Sequence, residues 1–327
     1  MVTAALTVIQ PGLQTTIQDW PGRVGFWRVG IPPSGPMDEL SFRLANRLLG
    51  NPEGAPGLEF QFLGPKLHAG CDIDVAVVGG GATTVDGVAL PSGHAVTVRA
   101  GQVIDCGGVR EGARGYLAVT GGFGKELVLG SAATFPRGGV GGKAIAAGDV
   151  LGLAAPSAGR APRRLASGTL PALDAPTVIE VTAGPHFDWL DDAGAEALAG
   201  AVWTVSSQSD RPGIRLSGPA VTFADRARDK APENGPDPTN VINTGYAIGG
   251  VNLCGDTPII LPVDGPSQGG FITPLVVASA AMWKVGQLRP NRPLVFRRIS
   301  VADAIALRRA LDRLIADPAV VVTEPAS

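Results

Sequence analysis

Forty-six glycines and 28 prolines are spread through the 327 residues with no concentration in a tail. A turn-forming residue therefore falls at about every fourth or fifth position, which leaves room for short strands and tight bends but for few long helices. Between these breaks lie short runs rich in Val, Ile and Thr: Leu6 to Ile9, Leu58 to Leu63, Ile73 to Val78, Thr83 to Val85, Ala95 to Val98 and Gly115 to Val119. Such spacing is that of a barrel or a sandwich. AGQVIDCG (100–107) and AGDVLGLA (147–154) repeat one turn-plus-strand unit, with a glycine opening each turn. One helix interrupts the first half: Met37, Leu40, Leu44 and Leu48 share a face, Asp38 and Glu39 open it, and Arg43 and Arg47 close it before Gly50. The charges match the helix dipole.

Length alone predicts about two domains. The stretch Pro156 to Pro176, rich in Pro, Ala and Arg without apolar periodicity, reads as the linker between a first half (1–155) and a second half (177–327). The second half is again mainly β, with strands expected at Val178 to Val181, Val202 to Val205, Ile259 to Val263 and Leu294 to Ile299, and a short helix near Asp191 to Ala199. Ser300 and Asp303 form a capping-box pattern ahead of a C-terminal helix whose stripe is Ile305, Leu307, Leu311, Leu314 and Ile315, expected to pack on the barrel.

Charge excludes some partners. Lys plus Arg (27) against Asp plus Glu (29) gives a net charge of −2, and no basic stripe offers nucleic acid a footprint. The longest apolar-leaning run, Pro274 to Trp283, is about half a membrane span, so no membrane partner is expected. Cys71, Cys106 and Cys254 lie far apart, as small buried hydrophobes in a reducing compartment would, and a cytoplasmic chain is expected. His68, His94 and His186 have no metal spacing, so no metal is expected.

Several tempting motifs fail on their details. The glycines of VVGGGATTVDG are followed by a strand, with Thr84 where a dinucleotide fold needs its third glycine. RGGVGGK has Arg137 where a phosphate loop needs glycine, and Ala144 where it needs a hydroxyl. GPSQG, with Ser267, matches a nucleophile elbow, but all three histidines precede it in the chain. No glycine-rich run carries the paired serines of an amidase, and Lys284, preceded by Met282 and Trp283, is not a biotin-bearing turn.

What remains are four polar clusters in Gly/Pro-rich turns, where a stiff backbone can aim side chains into a cleft. They are Thr15 to Asp19 with Arg23; Arg110 and Arg114 beside Tyr116; Ser209 to Gly213 with Arg215; and Asp264 to Gly270 with Lys284 and Gln287. The plain alternative is that the Asp and Arg within each cluster pair to hold the turns together.

In this order, the segments TTIQDWPGRVGFWRVGIPPSGPMDELSFRLANRLLGN, LEFQFLGP, EGARGYLAVTGGF, SQSDRPGIRLSGP, GYAIGGVNLCGDTPIILPVDGPSQGGF and WKVGQLRP resemble the biotin-dependent carboxyltransferase family. That family includes allophanate hydrolase subunit 2, the C component of 5-oxoprolinase and the Kip-type kinase-inhibitor antagonists. DGPSQGGF and WKVGQL are more similar to the carboxyltransferase domain of urea carboxylase than to the 5-oxoprolinase branch. Pro262-Val263 and Asn291-Arg292 depart from that pattern. The resemblance implies two cyclophilin-like β-barrels with a few peripheral helices. It implies carboxyl transfer to urea or a urea-like amide, or the C component of an ATP-dependent 5-oxoprolinase, or a regulatory subunit without catalysis. The partner implied is a subunit 1 of the allophanate hydrolase type or of the 5-oxoprolinase B-component type, together with a biotin carboxylase and a biotin carrier. The cofactors implied are biotin, as carboxybiotin on that carrier, and ATP at the level of the complex. Under this reading Asp264, Arg211 and Lys284 are the catalytic candidates, and Gln18, Asp19, Arg23, Asp210, Arg215, Ser267, Gln268, Gly269, Gly270 and Gln287 bind substrate. Arg211 and Arg215 would grip a carboxylate, and the DGPSQGG loop would offer its amides as an anion nest.

Overall fold

The computed structural model describes residues 4–324. It divides into two compact units: residues 4–24, 33–172 and 312–324, and residues 25–32 and 173–311. Both are built mainly of β-strands, as the turn spacing requires.

The first unit holds two sheets. In one, the strands run in the order 150–152, 5–10, 66–69, 103–105, 84–85 and 88–89; in the other, 16–18, 57–61, 114–119, 73–79, 94–98, 163–165 and 321–323. Leu6, Val8, Leu67 and Ile104 from the first sheet and Leu58, Phe60, Val75, Val77 and Leu117 from the second share one buried cluster, so the two sheets enclose a common core. Helix α1 (Glu39–Leu48) packs on the strands Ile73–Gly79 and Arg114–Val119 from the other side. That second cover explains why every residue of Arg114–Val119 is buried and the strand shows no alternation. Asp38 caps α1, accepting hydrogen bonds from the Ser41 amide (2.9 Å) and hydroxyl (2.6 Å).

Beneath α1 sits a sealed polar network. Glu59 accepts from the Met37 amide (2.7 Å) and the Tyr116 hydroxyl (2.9 Å), pairs with Arg114 (3.4 Å), and Tyr116 in turn accepts from the Asp38 amide (2.8 Å). Burial, then the charges of Glu59 and Asp38, push the Tyr116 phenol well above its usual range, so it stays a donor.

The second unit contains a closed seven-stranded barrel in the order 177–183, 275–277, 250–254, 257–260, 214–217, 202–205 and 293–298. The parallel pairing of Thr177–Ala183 with Pro293–Arg298 closes it. Ile179, Val181, Trp203, Leu216, Leu253, Leu275 and Phe296 fill the interior, and the Trp203 indole donates to the Leu198 carbonyl (3.1 Å) at the end of helix α2 (Asp192–Gly200). A separate two-stranded antiparallel sheet pairs Asn240–Gly245 with Gln268–Phe271. Helix α3 (Met282–Gly286) precedes the last barrel strand.

The mainly-β, two-barrel expectation agrees with this architecture, while the internal boundaries differ. The stretch 156–176 is not free connection: Arg163–Leu165 is a strand between 94–98 and 321–323, and the Gly159 and Arg160 amides bond the Asp74 carboxylate (3.1 and 3.2 Å). The units part after Ala172. The expected capping box at Ser300 forms, starting helix α4 (Val301–Ala316). Its stripe is narrower than the pattern suggests, because Leu311 and Ile315 are buried whereas Ile305 and Leu307 are exposed. From Asp312 onward the helix belongs to the first unit, not to the barrel half. The strand expected over Ile259 to Val263 ends at Ile260, ahead of the turn into Asp264.

Tyr116→Phe deletes one hydroxyl that both donates and accepts inside a dry network. It should destabilise the chain by about 1–3 kcal/mol, read as a lower urea midpoint at unchanged m-value.

Candidate functional site

In the second unit the structure joins two of the four clusters. Asp210 and Gly213 exchange backbone hydrogen bonds (3.0 Å each), closing a tight turn with Arg211 and Pro212 at its tip. Arg211 donates from Nε to Asp264 Oδ2 (2.6 Å) and from Nη2 to Asp264 Oδ1 (3.2 Å), and both side chains are buried. This two-pronged bond ties the 209–215 turn to the start of the 264–270 loop across 53 residues of chain. Gly265 sits close enough that an added Cβ would lie 3.4 Å from the Pro212 carbonyl oxygen.

The loop itself is more ordered than a nest of free amides. Tyr246 donates its amide hydrogen to the Ser267 carbonyl (2.8 Å), Gln268 and Gly269 lie opposite Gly245 and Thr244 in the two-stranded sheet, and the Phe271 amide donates to the Tyr246 hydroxyl (2.8 Å). None of Gly265, Gly269 and Gly270 has the positive φ that a nest requires. Gly269 is needed for a different reason: a Cβ there would stand 2.8 Å from the Tyr246 ring and hydroxyl. The expected anion nest is therefore a strand laid on a tyrosine face. Tyr246, Asn252 and Thr273 form a buried polar base, with Thr273 donating to Asn252 Oδ1 (2.8 Å). Burial raises the Tyr246 phenol, against the lowering pull of the Phe271 amide and the Asn252 side chain.

Lys284 is held by other groups. Its Nζ donates to Glu180 Oε2 (2.8 Å), Glu180 Oε1 (3.1 Å) and the Val178 carbonyl (2.9 Å), using all three ammonium protons. Arg297, beside Glu180 on the parallel strand, adds a 2.6 Å bond to Oε1. Burial alone would raise the Glu180 carboxyl, but the bonds and charge of Lys284 and the charge of Arg297 outweigh it and hold its pKa below the usual value. Gln287 is buried just beyond α3, which carries Lys284.

Gln18, Asp19 and Arg23 lie in the first unit. Gln18 is fully buried and bonds Thr16 (2.8 Å), the Thr134 carbonyl (3.0 Å) and the Gly35 amide (3.0 Å). Asp19 accepts from the Ser131 hydroxyl (2.6 Å) and the Ala132 and Ala133 amides (2.8 and 3.1 Å). Arg23 donates to the Val128 (2.9 Å) and Ala133 (2.7 Å) carbonyls. These three side chains cross-link turns of their own unit.

Of the candidates, Asp210, Arg215 and Gln268 are exposed and Ser267 is half-buried. Arg215 leaves the edge of the joined turns on the strand Ile214–Ser217, its backbone fixed by Ser209, whose hydroxyl accepts from the Arg215 amide (3.0 Å). Sequence reasoning missed Glu180, Tyr246 and Asn252. An acid among the apolar residues of TVIEVTA is the signal that marks Glu180, since an unpaired charge is rarely buried.

With this geometry in place, comparison with known proteins is decisive for the family. Residues 29–298 match the model described as carboxyltransferase domain, subdomain A and B, and the chain belongs to that family. It is 38% identical to the urea amidolyase of Saccharomyces cerevisiae over 320 residues, 94% of this chain but 17% of that protein. It is 29% identical to the 5-oxoprolinase C component of Escherichia coli, covering 94% of this chain and 96% of that one. The crystal structure of the Kluyveromyces lactis urea carboxylase superposes with a TM-score of 0.89 at 38% identity over 96% of this chain, which spans 29% of it. The resemblance drawn from the motifs is thereby established. No helix among the described residues is long and apolar enough to cross a membrane.

Two outcomes follow from the ion pairs. Asp264→Ala removes the carboxylate that faces a buried guanidinium and should cost about 3–5 kcal/mol, while the double variant with Arg211→Met should cost less than the sum, as a double-mutant cycle in urea would record. The pairing of Glu180 contributes stability that is present above the ordinary carboxyl pKa of 4.5 and is lost as pH falls through the lower folded value. Glu180→Gln should therefore flatten the acid limb of the stability–pH curve below about pH 4.5, set by that ordinary carboxyl value.

Proposed function

We propose that the chain is the subunit 2 component of a heteromeric biotin-dependent carboxyltransferase acting on urea or a urea-like amide. The observation that carries this reading is the clamp of Arg211 on Asp264, which fixes two family motifs against each other while Arg215, Ser267 and Gln268 remain accessible at its edge. The 38% identity to urea amidolyase and urea carboxylase proteins, against 29–30% to the 5-oxoprolinase C components, supports the urea branch. Because the chain spans only 17% of the first of these relatives, its partners belong to the proposal: a subunit 1 chain, a biotin carboxylase and a biotin carrier.

The donor set fits a carboxylated ureido group. Bound on its carrier, carboxybiotin supplies an activated carboxyl, and ATP is consumed elsewhere in the complex to charge it. In this chain Arg215 meets carboxylate charge with its guanidinium, while the Ser267 hydroxyl and the Gln268 amide orient the polar edge of the acceptor. Arg211 and Asp264 act as positioning residues: their mutual bond is short and dry, so they hold the turns and do not grip substrate themselves. Lys284, with its three protons consumed, supports the barrel wall behind α3.

A second reading has its own support. The Escherichia coli 5-oxoprolinase C component is matched over 96% of its own length, which favours an equivalent role in an ATP-dependent lactam-opening complex.

In the complex reconstituted with subunit 1, biotin carboxylase and carrier, Arg215→Ala should lower ATP- and biotin-dependent carboxylation of urea by about 10²-fold and leave assembly intact. Unchanged turnover removes Arg215 from the site. Turnover of 5-oxoproline with no urea carboxylation selects the second reading.

A further inference from the structure

The loop RGGVGGK, a failed phosphate-loop match, lies beside an unusual amine. Lys125 is half-buried, and Thr134 Oγ1 at 2.7 Å is its hydrogen-bond partner among the described residues. The Thr134 hydroxyl in turn donates to the Gly141 carbonyl (3.2 Å). Arg23 bonds the adjacent residue, Ala133, so two cations are anchored on consecutive residues of one buried segment. Gly141 and Gly142 both have positive φ and run the loop past the pair: a Cβ would lie 2.8 Å from Arg23 Nη2 at the first, too close to fit, and 3.7 Å from Lys125 Nζ at the second, an ordinary contact. The nearby acid, Asp19, is already taken up by Ser131, Ala132 and Ala133.

We propose that Lys125 is a site of reversible N-carboxylation by dissolved carbon dioxide, its carbamate stabilised by the adjoining Arg23 charge. The physical driving force is the sign of the neighbouring charge. A protonated Lys125 faces Arg23 as like against like in a partly desolvated place, whereas a carbamate there faces it as opposite against opposite. Among the described residues the charged groups acting on the amine are Arg23, which disfavours its proton, and Asp19, which favours it; the 128–134 and 141–142 segments carry no charged side chain. Burial first, then Arg23, bring the amine down to about 8, so a substantial neutral fraction is present near neutral pH. In the reaction the neutral nitrogen uses its lone pair to form an N–C bond to carbon dioxide. One C=O pair moves onto oxygen, and a nitrogen proton leaves to water. The product is –NH–COO⁻ with no change of oxidation state. This step is independent of the proposed carboxyl transfer, since it needs only the isolated chain and dissolved bicarbonate.

The full-length chain in ¹³C-bicarbonate at pH 8 should show a carbamate carbonyl resonance that vanishes in Lys125→Arg. Trapping the wild-type chain with triethyloxonium and mapping its peptides should place the ester on Lys125 at least about tenfold above the exposed Lys143, as the Arg23 charge beside the carbamate requires. The mapping needs no variant, so misfolding of Lys125→Arg leaves the test intact, and it separates Lys125 from the N-terminal amine. Absence of the adduct at Lys125, or equal labelling of Lys125 and Lys143, overturns the proposal.

Discussion

A β-rich chain broken every few residues by glycine or proline has long stretches of backbone outside regular ladders, and those stretches must still be hydrogen-bonded when buried. Here side chains meet that demand. Gln18, Asp19 and Arg23 each bond the backbone of other turns, Asp74 receives the amides of Gly159 and Arg160, and Asn46 donates to the Ala55 carbonyl. The acidic and basic residues set in turns are therefore first of all fasteners. Any chemistry at these turns has to use what the fastening leaves over.

That distinction separates the candidates. Arg211 and Lys284 are both cations in family motifs, but Arg211 spends its fork on Asp264 and Lys284 spends its three protons on Glu180 and Val178. Turning Arg211 toward a substrate would leave the buried Asp264 without that counter-charge, and turning Lys284 would leave the buried Glu180 with Arg297 in place of two cations; either loss costs more than a carboxylate ligand returns. Arg215 is exposed and its backbone alone is fixed, so its guanidinium meets a ligand at no such cost.

Local features of the architecture were legible in the sequence. The α1 helix, with Asp38 as cap and Leu40, Leu44 and Leu48 buried, depends on residues three and four apart, and the strands of both units follow short apolar runs. Features set by distant pairing were not. Arg163–Leu165 has no apolar alternation of note and becomes a strand because two exposed sheet edges flank it. The partners of Arg211 and Lys284 lie 53 and 104 residues away, so no spacing rule reaches them, and the family motifs mark the positions without stating whether each side chain faces a ligand or a neighbour. Glycines in the DGPSQGG loop suggested an anion nest of amides, whereas Gly269 is required by the Tyr246 ring pressed against it.

Glycine-rich loops in this chain thus divide by what approaches them. Where an aromatic ring lies against the backbone, as at Gly269, the missing side chain allows tight packing and the amides are already paired in a strand. Where the backbone takes positive φ beside two cations, as at Gly141 and Gly142, the missing side chains bring the loop close to Arg23 and Lys125, and among the described residues Lys125 bonds a threonine hydroxyl. The same residue type serves closure in one unit and leaves a reactive amine in the other. Composition counts the two alike, and the difference rests on which side chain the fold sets against each loop.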